Sequence, residues 1–187
     1  MGLKSTNSIV HGSKRVSEIL EEHERFFSGK DGGVRADLTG ANLSGADLSK
    51  ANFSGAVLSG ANLEGADLRR AKLTHADLSG ANLRKADIRN TDLTEANLTG
   101  ANLEEAQASG VEFFRCDLSH TNFRRALLRN ANFRQANVNG AKFAGADMGV
   151  TILRETDLTG ADLSGVDLTT TLMPRNYAVN KADGKSA

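Results

Sequence analysis

Residues 36–55 read ADLTGANLSGADLSKANFSG, four five-residue units in which Leu38, Leu43, Leu48 and Phe53 keep an unbroken spacing. The same spacing runs on to Leu168, giving 27 centre residues in succession, of which only Ala108 is not large. Two residues before each centre stands a small residue. It is usually Ala, as in Ala36, Ala41 and Ala46, and otherwise Thr91, Val111, Cys116, Thr121, Thr151, Thr156 or Val166. Asp or Asn mostly fills the slot between them, and Ser, Thr, Gly or a charge follows. A strict short period marks a repeat architecture and outranks local propensity.

Period five suits neither a helix, which wants 3.6, nor a strand, which wants 2. Within one unit, residues two apart share a face, so Ala41 and Leu43 point inward while Asn42 points outward. The next two residues, such as Ser44 and Gly45, then turn the chain, and Gly or Asn at the corner tolerates a tight turn. Straight segments joined by regular corners wind into a coil whose turns stack at about 4.8 Å. The reading is a β-solenoid with two inward side chains in every five, which agrees with a hydrophobic content of 39%. The only proline, Pro174, follows the last unit, where it deletes no donor from the ladder between coils. The periodicity itself does not choose between three and four sides.

These units resemble the pentapeptide-repeat family, whose repeat reads A(D/N)LXX, and the likeness spans residues 36–170. The resemblance implies an all-β solenoid, a right-handed quadrilateral β-helix with four units per coil. On that pattern the chain makes just under seven coils, a rod roughly 32 Å long.

An open solenoid exposes an apolar cross-section and strand edges, so its ends need caps. Residues 13–28 carry Val16, Ile19, Leu20, His23 and Phe26 or Phe27 at helical spacing, with Glu18, Glu21, Glu22, Glu24 and Arg25 mostly on the other side. The pattern predicts a short N-terminal capping α-helix with Ser13 as N-cap and Gly29 just past its end. The expected organisation is a disordered N-terminus over 1–12, a capping helix and connector over 13–35, the β-helix over 36–170, and a C-terminal cap and tail over 171–187. Residues 178–187 read as disordered.

Charge excludes several functions. The 23 basic and 23 acidic residues cancel, so the footprint of direct nucleic-acid binding is missing. No run of 18 apolar residues and no opening signal pattern exist, which gives a cytoplasmic expectation with no membrane partner. His11, His23, His75 and His120 fall on different elements, and no Cys/His spacing suits zinc. Asp117, Ser119 and His120 lie together in sequence, but side by side on a flat surface they have neither pocket nor oxyanion donors. A bore filled by Leu and Phe leaves no substrate cavity, so no enzyme, cofactor or metal is expected.

Sorting the units by their place in a 20-residue coil separates four faces. One stacks Ser44, Glu64, Arg84, Glu104, Arg124, Ala144 and Ser164 beside Lys85, Glu105 and Arg125, an expected ladder of ion pairs. Another stacks Arg69 on Arg89 without an evident partner. The face beginning with 36–40 carries Asp37, Asp77, Asp117 and Asp157, no lysine or arginine, and small residues elsewhere. Those four aspartates are candidate partner-binding residues, because flat faces of short side chains lose little entropy on binding. The competing reading gives these carboxylates a purely structural role at the corners.

Two functions follow. One is a non-catalytic interaction or scaffold module that presents a rigid face to a protein partner. The alternative, taken from the resemblance, is a DNA mimic that binds a type II topoisomerase, DNA gyrase or topoisomerase IV, and is associated with fluoroquinolone resistance. Residues 111–145 carry Arg115, Arg124, Arg125, Arg129, Arg134 and Lys142 against Glu112 and Asp117, which argues against mimicry by the whole rod. At the C-terminal end, Val150, Ile152, Leu172, Met173 and Tyr177 form an apolar group that needs covering. They are the candidate interface of a homodimer, against a monomer capped by its own 171–179.

Overall fold

Asn42 pairs with Asn62, Asn62 with Asn82, Asn82 with Asn102 and Asn102 with Asn122, each through a parallel single-residue bridge. The offset of 20 residues recurs on all four faces, so each coil has four sides of one unit each. The computed structural model describes residues 2–175 and Tyr177.

The alternation of donors follows from the unit. A centre amide donates up the rod, as Leu43 to the Asn62 carbonyl at 2.7 Å, and the outward amide donates back, as Asn62 to Ala41 at 2.9 Å. The corner closes when the next small residue donates to the preceding centre, as Ala46 to Leu43 at 3.1 Å. At each corner from Gly40 to Gly165 the corner residue has positive φ, for example Gly45 at 64° and Lys50 at 61°. Bond and dihedral together fit a type II turn, which favours Gly there. Fourteen corners of the rod nevertheless carry a side chain at φ 56–62°. At Gly140 a Cβ would lie 2.4 Å from the exposed His120 ring, which reaches over it from the coil before and would have to swing aside.

Centre residues from Leu38 to Leu153 are at most 1% exposed and form one continuous core with the small slots. In mid-rod the bore turns aromatic. Phe113 stacks on Phe133 at 4.7 Å and Phe123 on Phe143 at 5.0 Å, with edge contacts between the two stacks. Such pairs add about 0.5–1.5 kcal/mol beyond area burial. Threonine in the small slot is not a defect. The Thr91, Thr121, Thr151 and Thr156 hydroxyls each donate to a carbonyl of the previous coil at 2.6–2.9 Å, and Cys116 Sγ does the same to Leu93 at 2.8 Å.

The N-terminal end differs from expectation in three ways. Residues 2–12 do not trail free. Lys4 adds a bridge to the first coil, donating to Gly45 at 2.7 Å and accepting from Asp47 at 2.8 Å, and Ile9 is buried. A short hairpin, β1 (Val10–His11) and β2 (Lys14–Arg15), then leads into helix α1 (Val16–Phe27). Ser13 lies in the hairpin turn, so the N-cap is Arg15, whose amide donates to Glu18 at 2.9 Å. Gly29 follows the helix with φ 63°, as its sequence position suggests. Val16, Ile19 and His23 are buried against the core and Leu20 partly so, whereas Phe26 and Phe27 stay about half exposed. Although no coil precedes them, Leu38, Leu43, Leu48 and Phe53 are sealed.

At the other end the register runs one unit further than the sequence suggests. Thr171 fills a small slot and its hydroxyl donates to Met148 at 2.9 Å; Leu172 bridges Ile152, and Met173 packs on the core as a centre residue. Pro174 follows that centre, and its carbonyl accepts from the Tyr177 amide at 3.1 Å, so the chain leaves the repeat by a turn that begins at the proline. The rod therefore comprises 28 units, seven full coils and about 34 Å at the strand spacing. Among the described residues this last coil is the looser one: Leu158 and Leu168 are only partly buried, and no bridge joins Asp147 to Asp167. The expectation for 178–187 lies outside the described residues.

Candidate interaction surfaces

The aspartate face is built by the corner geometry. Asp37 Oδ1 accepts from the Thr39 amide at 3.0 Å and its hydroxyl at 2.7 Å. Asp77, Asp117 and Asp157 accept from the amides of Ser79, Ser119 and Thr159 at 3.0, 3.0 and 2.9 Å. Each carboxylate thus caps its own turn through one oxygen, the role an Asx residue plays in turns. The hydrogen bond from Thr39 holds the Asp37 carboxyl below its ordinary range, and that from Thr159 does so for Asp157.

The intervening slots hold Val57, Asn97 and Asn137, and the amide groups of Asn97 and Asn137 donate to Asp77 and Asp117 at 3.2 and 3.1 Å. Alternation of this kind keeps carboxylates two coils apart, where adjacent ones would repel across about 4.8 Å. The structure therefore aligns all four predicted residues on one face with a structural task for each. Among the described residues their second oxygens accept no hydrogen bond, and no lysine or arginine stands among them. Ser119 and His120 make no hydrogen bond to each other, and His120 lies over Gly140 instead.

The neighbouring face carries the expected ladder. Arg84 bridges Glu64 and Glu105 at 3.3 and 3.2 Å, Lys85 adds Glu105 at 3.7 Å, and Arg125 pairs with Glu104. Exposed pairs of this kind contribute a few tenths of a kcal/mol each. Arg69 and Arg89 are not unpartnered. Arg69 grips Asp67 at 2.6 Å and reaches Asp87 at 3.7 Å, and Arg89 grips Asp87 at 2.6 Å, so a carboxylate separates the two guanidiniums. Sequence order hides this arrangement because the aspartate lies two residues back on the same strand.

The apolar group at the C-terminal end divides. Val150 and Leu172 are exposed and Ile152 half-buried, all outward, whereas Met173 and Tyr177 turn onto the rod's own core. Ile152 and Leu172 floor a groove of about 670 Å³ rimmed by Arg134, Arg154, Glu155, Pro174 and Arg175. Arg134 donates to Glu155 at 2.9 Å. Among the described residues, no group of three or more His, Cys, Asp or Glu is placed to hold a metal ion, and no helix is long and apolar enough to cross a membrane. Burial pushes the Cys116 thiol up to about 12.

Residues 36–74 match the pentapeptide repeats in eight copies, and residues 93–168 match the pentapeptide repeat region. The chain belongs to the pentapeptide-repeat family. Among solved structures it is similar to the pentapeptide repeat protein Rfr23 of the cyanobacterium Cyanothece 51142, with 32% identity, covering 71% of each chain at a TM-score of 0.36. It is also similar to HetL of the cyanobacterium Nostoc sp. strain PCC 7120, a pentapeptide repeat protein involved in heterocyst differentiation regulation. That likeness has 24% identity and covers 88% of this chain and 97% of HetL at a TM-score of 0.37. The plasmid-mediated fluoroquinolone resistance protein QnrB1 is 24% identical, covering 75% of this chain and 79% of QnrB1 at a TM-score of 0.37. No curated protein matches. As a pentapeptide-repeat protein the chain is a structural repeat protein, and its four faces differ only in what they display.

Proposed function

We propose that this pentapeptide-repeat rod, right-handed on the family's pattern, is a non-catalytic interaction module of the cytoplasm. Its partner is a protein that docks on the face of Asp37, Asp77, Asp117 and Asp157. The observation that carries the reading is the absence of any lysine or arginine from that face in a chain with 23 of them. The four turns fix the inner oxygens, so the outer ones are presented without loss of side-chain freedom on binding.

Charge density weighs against mimicry of DNA. Four carboxylates over six coil spacings give roughly one charge per 10 Å, against about one per 1.7 Å along duplex DNA. A topoisomerase remains the second candidate because the same face is the one surface a basic groove could accept. The test is capture from native lysate with the wild type and a variant carrying all four Asp→Asn changes, with gyrase and topoisomerase IV subunits probed by name. A supercoiling assay runs alongside. A captured protein lost in the variant supports the interaction reading. Inhibition of supercoiling that is lost in the variant moves the assignment to the mimic. Equal capture by both proteins, with no effect on either enzyme, refutes the face.

The same rod forms a two-fold homodimer through its C-terminal end, where Val150, Ile152 and Leu172 remain outward beside the looser last coil. Light scattering compares the wild type with an Ile152→Asp, Leu172→Asp double variant. A wild type of monomer mass at high micromolar concentration refutes the dimer.

A further inference from the structure

His23 is the one histidine shut away from water, and nothing in the proposed interaction uses it. It lies on the inner side of α1, 0% exposed, and its Nδ1 accepts the Ala36 amide hydrogen at 3.0 Å. That bond ties α1 to the first residue of the first coil. It also fixes the neutral tautomer, because a nitrogen that accepts carries no proton, so the ring hydrogen sits on Nε2. Nε2 is itself buried without a partner. Phe27 meets the ring edge-on at 5.0 Å and Phe26 stacks at 6.4 Å.

Adding a proton to this ring sets two donors, His23 Nδ1–H and the Ala36 amide, against each other. It also places a charge in a desolvated site where the Ser54 backbone favours it only in part and the charge acting on it, Arg35, has the same sign. On α1, Glu22 is held by Lys14 from β2 at 2.6 Å and Glu18 by the Arg15 amide, while Glu24 and Arg25 are exposed. From the connector the acting charge is Arg35, of the same sign; the rod turns only the Ser54 backbone toward the ring. His11 on β1 acts on Asp37.

We propose that His23 is a pH-sensitive latch: neutral, it locks α1 onto the first coil, and protonated, it releases α1 and opens that end of the rod. Desolvation, and after it the Arg35 charge, holds the imidazole below its ordinary value against a smaller opposing effect of the Ser54 backbone. The sign follows. The open form takes up a proton at the ordinary histidine value near 6.5 and the closed form only at lower pH. Closure is therefore at full strength above that value and is lost as the pH falls through it. Between pH 7.5 and 5.5 the ratio of open to closed rises by up to about tenfold.

The test is hydrogen exchange of the amides of residues 16–27, corrected for intrinsic rates, at pH 7.5 and 5.5. The proteins compared are the wild type, His23→Gln and His11→Gln. The expected result is up to tenfold less protection of α1 at the lower pH in the wild type and in His11→Gln. Amides of 76–120 hold steady, and His23→Gln shows no pH dependence. Unchanged protection of α1 in the wild type overturns the latch, as does a loss that persists in His23→Gln. Should His23→Gln leave α1 unprotected throughout, an NMR titration of the wild-type ring decides. A ring that titrates below its ordinary value as α1 opens supports the latch, and one that titrates at or above that value overturns it.

Discussion

Leu98→Ala removes a centre residue from the middle of the rod. Leu98 is fully buried, with Leu78 and Leu118 one coil to either side on the same face and equally sealed. Its amide is pinned to the Asp117 carbonyl at 2.7 Å, and Ala101 closes the next corner onto its own carbonyl at 2.9 Å. A cavity there cannot collapse, because each wall is held by the ladder. The cost therefore falls in the upper part of the range for buried Leu→Ala changes, about 4 kcal/mol. Leu168→Ala has the same chemistry in a partly buried residue of the looser coil, and about 1–1.5 kcal/mol is expected from its smaller burial. At about 2–4 °C per kcal/mol, the melting temperature falls roughly 8–16 °C for the first and a few degrees for the second. Urea and thermal melts followed by far-ultraviolet circular dichroism measure both, since the chain has no Trp. Equal losses for the two variants, or a loss under about 1.5 kcal/mol for Leu98→Ala, would refute the reasoning.

Gly60 stands at a corner with φ 64°, so Gly60→Val, a β-branched residue in the left-handed region, should destabilise by about 1–2 kcal/mol in denaturant melts. With its thiol pushed up to about 12 and buried, Cys116 should react with a thiol reagent at pH 8 at least about 10³-fold more slowly in the native protein than in denaturant. Ala108 is fully buried in the unit before Phe113, and Ala108→Leu should cost about 1–3 kcal/mol by overpacking in the same melts.

Much of the rod is legible because its period is a geometric demand repeated 27 times. Any residue that broke it would stand out, and Ala108 does. Four sides rather than three came from the family resemblance, and the 20-residue bridges agree with it. What sequence did not disclose lies in contacts without a side-chain signature. Lys4 joins the first coil through its backbone, so its polar neighbourhood reads as a loose terminus. Pro174 reads as following the last unit, yet Leu172 still bridges Ile152 and Met173 still packs on the core, so one more unit precedes the proline. Threonine in the small slot looks like a tolerated substitution until its hydroxyl is seen to reach a carbonyl of the previous coil. The aspartate column was visible as a pattern. Its division of labour was not, since only the coordinates show one oxygen on the turn and the other free.

The most direct measurement places new cations on one face at a time. Ser59→Lys, Ser79→Lys and Thr99→Lys together charge the aspartate face; Ser49→Lys, Ser109→Lys and Thr169→Lys charge the opposite one. Both triple variants are compared with the wild type for capture of the same partner from native lysate, after circular dichroism has shown each to be folded. The predicted result is loss of that partner by the first variant and retention by the second. Retention by the first, or equal loss by both, would contradict the assignment of function to the face of Asp37, Asp77, Asp117 and Asp157.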